Sequence, residues 1–179
     1  SHERGVMVHT SAAAQERLQP LTGGRIPESD APSYRLWQRE GGQLPALIAV
    51  PHSGRCYPAF LLAALRQPER ASLRLEDRHV DALALPAAET TQTSLLLADA
   101  PRAMIDLNRS ADDIDWGMVR GPKPRMTRHS LANRRSRNGL GLVPRRLPGM
   151  GEIWRRALDR SELDSWIAGI YHPYHAALN

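Results

Sequence analysis

The sequence predicts an α/β protein, with strands and helices alternating around one core. Three observations carry that expectation. Apolar runs of strand length recur at 46–50, 94–98 and 103–107. Stretches with helix-start signals lie between and after them. The chain has 179 residues and 41% hydrophobic content, enough for one domain with a real core. With one Phe, four Trp and four Tyr, that core must rest mainly on Leu, Ala, Ile and Val.

Residues 1–33 read as a loosely ordered arm of Pro, Gly and Ser with little periodicity, and the domain proper is expected over 34–179. Residues 34–39 alternate, with Tyr34, Leu36 and Gln38 opposite Arg35, Trp37 and Arg39, as in an edge strand. Gly41 and Gly42 mark a turn. The run 46–50 is small and β-favouring throughout and stops at Pro51, the pattern of a central strand buried on both faces. Residues 58–65 carry proline in the first turn of a helix. A second helix is expected over 75–85, with charge at its start (Glu76, Asp77, Arg78, His79, Asp81) and Pro86 at its end. The runs 94–98 and 103–107 read as two more buried strands. No regular structure is legible over 110–149, a length that points to function or disorder. Residues 161–178 form a helix in which Leu163, Trp166, Ile167, Ile170, Tyr171 and Tyr174 share one face. Ser161 and Asp164 give it a start like a capping box, and Pro173 is expected to kink it.

The net charge of +5 is uneven. Nine basic residues and no acidic one fall between Arg120 and Arg146, so the rest of the chain is net acidic. That basic stretch suits an anionic ligand. It contains no aromatic residue for stacking on bases, so nucleic acid is not the expected partner. No apolar run reaches membrane-spanning length and no secretory signal opens the sequence. Cys56 is the sole cysteine, which rules out an internal disulfide and fits a reducing cytoplasm. No base is evident beside it, so it reads as a small filler rather than a nucleophile.

Four groups of residues could carry chemistry. His52 lies just beyond the run 46–50, and the carboxyl ends of strands are where open α/β sheets place ligands. A turn histidine bonded to a carbonyl would look the same. With Glu76 and Asp77, His52 could offer nitrogen and oxygen donors to a divalent metal, although acids also suit the positive end of a helix. Asn108 and Arg109 follow Asp106 at the end of the third run. Arginine favours two-pronged carboxylate recognition and Asn108 offers both a donor and an acceptor. The same residues could form a turn with Arg109 paired to Asp106. The basic stretch is the third group. The fourth is His172, Pro173, Tyr174 and His175, where packing is preferred to metal binding because the proline distorts the spacing.

These pieces, in this order, resemble the N-formylglutamate amidohydrolase family. The matching stretches are LIAVPHSGRCYP (47–58), LEDRHVDAL (75–83), PRAMIDLNR (101–109), NGLGLVPR (138–145) and YHPYHAAL (171–178). The resemblance implies a mixed, mostly parallel sheet flanked by helices, similar to zinc carboxypeptidases and aspartoacylases. It implies hydrolysis of an N-formyl or N-acyl amide of glutamate or a related amino acid, a small anionic substrate. Zinc or a similar divalent metal is the implied cofactor. Carried over by position, His52 becomes a metal ligand and Asp77 the carboxylate ligand, with Glu76 the less favoured choice. Asn108 and Arg109 bind the substrate carboxylate, and Arg55 partners a developing oxyanion. Family members continue beyond the last helix to a third ligand and a general base, so the C-terminal part is expected to be missing after Asn179. His129 and Ser130 copy two letters of that later motif but follow no strand and are not assigned. The alternative is a catalytically inactive relative that binds carboxylates without the full metal site.

Overall fold

The computed structural model describes residues 18–41, 45–125 and 135–179. Four strands form the main sheet: β1 (Leu21–Gly23), β2 (Tyr34–Trp37), β3 (Leu47–Val50) and β4 (Ser94–Ala98), in the order β1-β2-β4-β3. β2 runs antiparallel to β1 and to β4, whereas β3 runs parallel to β4 with Ile48 opposite Leu95. The sheet is therefore mixed, but the expected parallel majority is not found among the described residues. A parallel pair needs a long crossover, and in this sheet the segment between β3 and β4 supplies it. That segment holds three helices: α1 (Ala59–Ala64), α2 (Pro68–Leu75) and α3 (Val80–Thr91).

β4, not β3, is the strand covered on all sides. Side chains alternate along a strand, so Leu95 and Leu97 pack with Val50, Ala84 and Ala88 on one face. Leu96 and Ala98 join the larger core on the other face, with Leu61, Trp154, Trp166 and Tyr174. Both faces of β4 are dry, which requires an unbroken apolar run. β3 has the same composition but lies at the sheet edge. β2 has a strand on each side and is not an edge; its Arg35 guanidinium grips the Asp99 carboxylate just beyond β4 at 2.8 and 3.0 Å. The described part of the expected arm is structured: it supplies β1, and Ile26 is fully buried. A lone anchoring side chain leaves no period to read.

Three other boundaries differ from expectation. Leu75 closes α2, a break follows at His79 (φ +69°), and α3 continues through Pro86 to Thr91, with Ala84 and Ala88 packed on the sheet. Residues 103–107 are buried, yet they form turns, with Met104 N–H donating to the Pro101 carbonyl at 2.9 Å. The last helix is α4 (Arg160–Trp166), a π-helical turn (Ile167–Tyr171) and α5 (His172–Leu178). Its capping box is Asp159 with Glu162, whose carboxylate accepts the Asp159 N–H at 2.8 Å, rather than Ser161 with Asp164. Pro173 has no N–H for the Gly169 carbonyl four residues back, and Arg25 N–H takes that carbonyl at 2.8 Å. The break is thus absorbed by a wider turn and by the N-terminal segment.

Within 110–149, the described residues form 3-10 turns at Trp116–Met118 and Ser136–Asn138 and two short strands. β5 (Val119–Arg120) pairs with β8 (Leu158–Asp159), and β6 (Arg146–Leu147) with β7 (Gly151–Glu152). Buried Asp113 accepts N–H groups of Arg135 and Ser136 at 3.0 and 3.1 Å. Within the basic stretch, Arg120 pairs with Asp159 at 3.1 Å and Arg145 with Asp115 at 3.0 Å. Residues 126–134, with His129 and Ser130, lie outside the described residues, as does Gly42. No helix among the described residues is long and apolar enough to cross a membrane.

Candidate active site

Parallel strands β3 and β4 end side by side, and the loop after β3 folds over the end of β4. Cys56 N–H donates to the Asp99 carbonyl at 3.1 Å. A side chain at Gly54 would place its first carbon 2.1 Å from the Ala100 carbonyl oxygen, so only glycine fits there. On the other side, Asp77 N–H donates to the His52 carbonyl at 2.9 Å. His52 is therefore held from both sides and its ring is buried.

The ring has a carboxylate at each nitrogen. Nε2 lies 2.7 Å from Asp106 Oδ1, and Nδ1 lies 3.4 Å from Asp77 Oδ2. The Asp106 carboxylate is almost fully buried. Burial works to raise its pKa, but the His52 hydrogen bond, the Arg102 charge and the Asn108 N–H together hold it below the usual carboxylate range. An ionised carboxylate only accepts, so Nε2 of His52 carries the donated proton. The other ring nitrogen, Nδ1, faces Asp77.

The turn carrying Asp106 is braced by the last helix. Asp106 N–H donates to the Leu142 carbonyl at 2.7 Å, and Tyr171 hydroxyl donates to the Arg109 carbonyl at 3.0 Å. His175 Nε2 donates to the Leu107 carbonyl at 3.0 Å, and its ring lies 4.2 Å from that of Tyr171. Tyr174 is buried in the core. His175 therefore supports the loop, whereas His172 is exposed, its ring edge-on to that of Tyr171 at 5.8 Å.

Nδ1 of His52 and Oδ2 of Asp77 suit two corners of a metal site. Donors bound at about 2.1 Å to one tetrahedral ion stand roughly 3.4 Å apart. A carboxylate on the far nitrogen is the usual support for a metal-binding histidine. Among the described residues, no group of three or more His, Cys, Asp and Glu is placed to hold a metal ion.

The other expected residues are placed differently. The Glu76 side chain is buried and faces Arg78 at 3.3 Å, turned to a structural partner rather than to His52. Arg55 is half-exposed and bound to Asp81 of α3 at 2.6 Å. Asn108 is exposed, and its backbone N–H serves Asp106 at 3.0 Å. Arg109 Nε lies 3.5 Å from Asp106 Oδ2, which brings the guanidinium into the same cluster as His52. Sequence reasoning missed Asp106 as the partner of His52, and missed Arg102 altogether. The available signal was an acid with arginines four residues before and three after it.

The profile described as N-formylglutamate amidohydrolase matches residues 44–179. The chain belongs to the N-formylglutamate amidohydrolase family. A solved N-formylglutamate amidohydrolase from Ralstonia eutropha JMP134 is 37% identical, with a TM-score of 0.69. The match covers 82% of this chain and 50% of that one, so this family member spans about half the length of its solved relative. No curated protein matches it. Relatedness at this level fixes the mixed α/β fold and the family, and His52, Asp77 and Asp106 all fall within the matched residues.

Proposed function

We propose that this chain takes part in metal-dependent hydrolysis of an N-formyl or N-acyl amide of glutamate or a related amino acid. The observation that carries the reading is the line Asp106–His52–Asp77, in which a buried carboxylate orients an imidazole whose other nitrogen faces a second carboxylate. The solved relative is named an N-formylglutamate amidohydrolase. His52 Nδ1 and Asp77 would hold zinc or a similar divalent ion. When bound, such an ion supplies Lewis-acid polarisation of the amide carbonyl and acidifies water. Asp106 fixes the tautomer and the tilt of His52. Arg109, with Asn108 beside it, is suited to hold a substrate carboxylate by paired N–H donors. The lone Cys56 thiol fits work in a reducing compartment such as the cytoplasm. Replacing His52 with Ala should strip the metal from the protein. Unchanged metal content in that variant would remove His52 from the ligand set.

A second reading is a carboxylate-binding relative without catalysis. It is favoured by the finding that two metal donors, and no group of three, are placed together among the described residues. Calorimetry with N-formylglutamate separates the two readings. Binding that survives a chelator, with no release of formate under any metal, supports the second. Formate release that the chelator abolishes supports the first.

A further inference from the structure

Asp106 is one carboxylate facing two guanidinium groups. Arg102 Nε donates to its Oδ2 at 3.0 Å, and Arg109 Nε lies 3.5 Å from the same oxygen. Its Oδ1 already accepts from His52 at 2.7 Å and from Asn108 N–H at 3.0 Å. Holding Asp106 in place therefore needs one arginine at most. Two are present, and their side chains are only 18% and 21% exposed. Two partly desolvated guanidinium groups share one oxygen of Asp106, so most of their donor capacity is left for a bound anion.

Each arginine faces Asp106 through Nε. A guanidinium has five N–H donors in a planar fork, so the outer nitrogens of both remain for another partner among the described residues. Arg102 is hydrogen-bonded to the carboxylate that orients His52, and Arg109 Nε lies within ion-pair distance of the same oxygen but makes no hydrogen bond there.

We propose that Arg102 is a second carboxylate-recognising residue, and that with Arg109 it selects substrates bearing two carboxylates over otherwise similar substrates bearing one. The assignment rests on the reading of the cluster around His52 as the substrate site. It differs from a purely supporting role for Arg102, in which the residue would act on every ligand alike through Asp106.

The test is calorimetry on the full chain with N-formylglutamate and N-formylglutamine, which share a shape and differ by one carboxylate. A chelator is present, so binding is read without turnover. The wild type should bind N-formylglutamate tighter by on the order of tenfold to a hundredfold, the range of a charge-assisted hydrogen bond. Arg102→Gln should weaken N-formylglutamate until the two affinities agree within about threefold, with N-formylglutamine little changed. An equal fall for both ligands, a preserved preference, or no preference in the wild type would each overturn the assignment. Should Arg102→Gln fail to fold, Arg102→Lys keeps a cation on Asp106 but loses the fork. It should show an intermediate preference, and a wild-type preference in that variant also overturns the assignment. Formate release is measured separately. A chain that binds selectively but never hydrolyses sinks the enzyme reading alone, and one that hydrolyses both ligands equally well with no binding preference sinks this one alone.

Discussion

Asp106 carries more of the site than any other residue, because four neighbours converge on its two oxygens. Its removal would leave Arg102 and Arg109 facing each other in a poorly hydrated place, and would free the ring of His52 to rotate. Breaking one partner out of a buried charge cluster costs roughly 3–5 kcal/mol. Asp106→Ala should therefore lower unfolding free energy by about that much in a denaturant titration, far more than a surface carboxylate would. A loss below about 1 kcal/mol would mean that the cluster contributes little to the fold. Much of this cluster was not legible in the sequence. His52 stood out because it lies just beyond an apolar run of strand length. Asp106 was visible only as a neighbour of Arg109, since its link to His52 spans 54 positions. Glu76 and Asp77 are adjacent and chemically alike, and only the backbone path decides that Asp77 faces the imidazole while Glu76 turns to Arg78.

The elements around the site were legible to the extent that local sequence determines them. β4 and the apolar face of α4 and α5 follow from period and composition alone, as the burial of Leu163, Trp166, Ile170 and Tyr174 bears out. The turns over 103–107 do not, because a buried turn and a buried strand share one composition. What matters at this scale is the loop after β3. It lies so close to the end of β4 that the Ala100 carbonyl would be 2.1 Å from a side chain at Gly54. The obstructing atom is backbone and cannot swing aside. Gly54→Ala should therefore push the loop away from β4 and carry His52 off Asp106. The expected destabilisation is about 1–3 kcal/mol, and the metal binding proposed above should weaken well beyond what that loss implies. A Gly54→Ala protein with wild-type stability and metal content would show that the loop has slack.

At the scale of the whole molecule, β4 ties two packed layers together, and two carboxylates among the described residues, Asp106 and Glu162, have depressed pKa values. Asp106 lies in the candidate site. Glu162 opens α4, where Arg156 binds both of its oxygens at 2.6 and 2.7 Å and the Asp159 N–H donates to it. The Arg156 hydrogen bonds, opposed by burial, hold its pKa below the usual value. Burial instead raises the pKa values of Cys56, Tyr57, Tyr171 and Tyr174, which titrate above neutrality and do not enter the acid range. A carboxylate whose folded pKa is depressed binds fewer protons than it does in the unfolded chain at acid pH. Its contribution is complete above the unfolded values of about 3.9 for Asp and 4.3 for Glu, and is lost as pH falls through the lower folded values. Stability should therefore be nearly level from neutrality to about pH 5 and then decline steeply. Glu162→Gln should be less stable than the wild type at pH 7 by about 1 kcal/mol, the worth of a cap with a partly exposed ion pair. That gap should close as the solution is acidified, because the wild-type carboxylate becomes neutral as well. Denaturant titrations of both proteins between neutral and acid pH would read it, and a constant gap across the series would show that Glu162 is not a depressed acid.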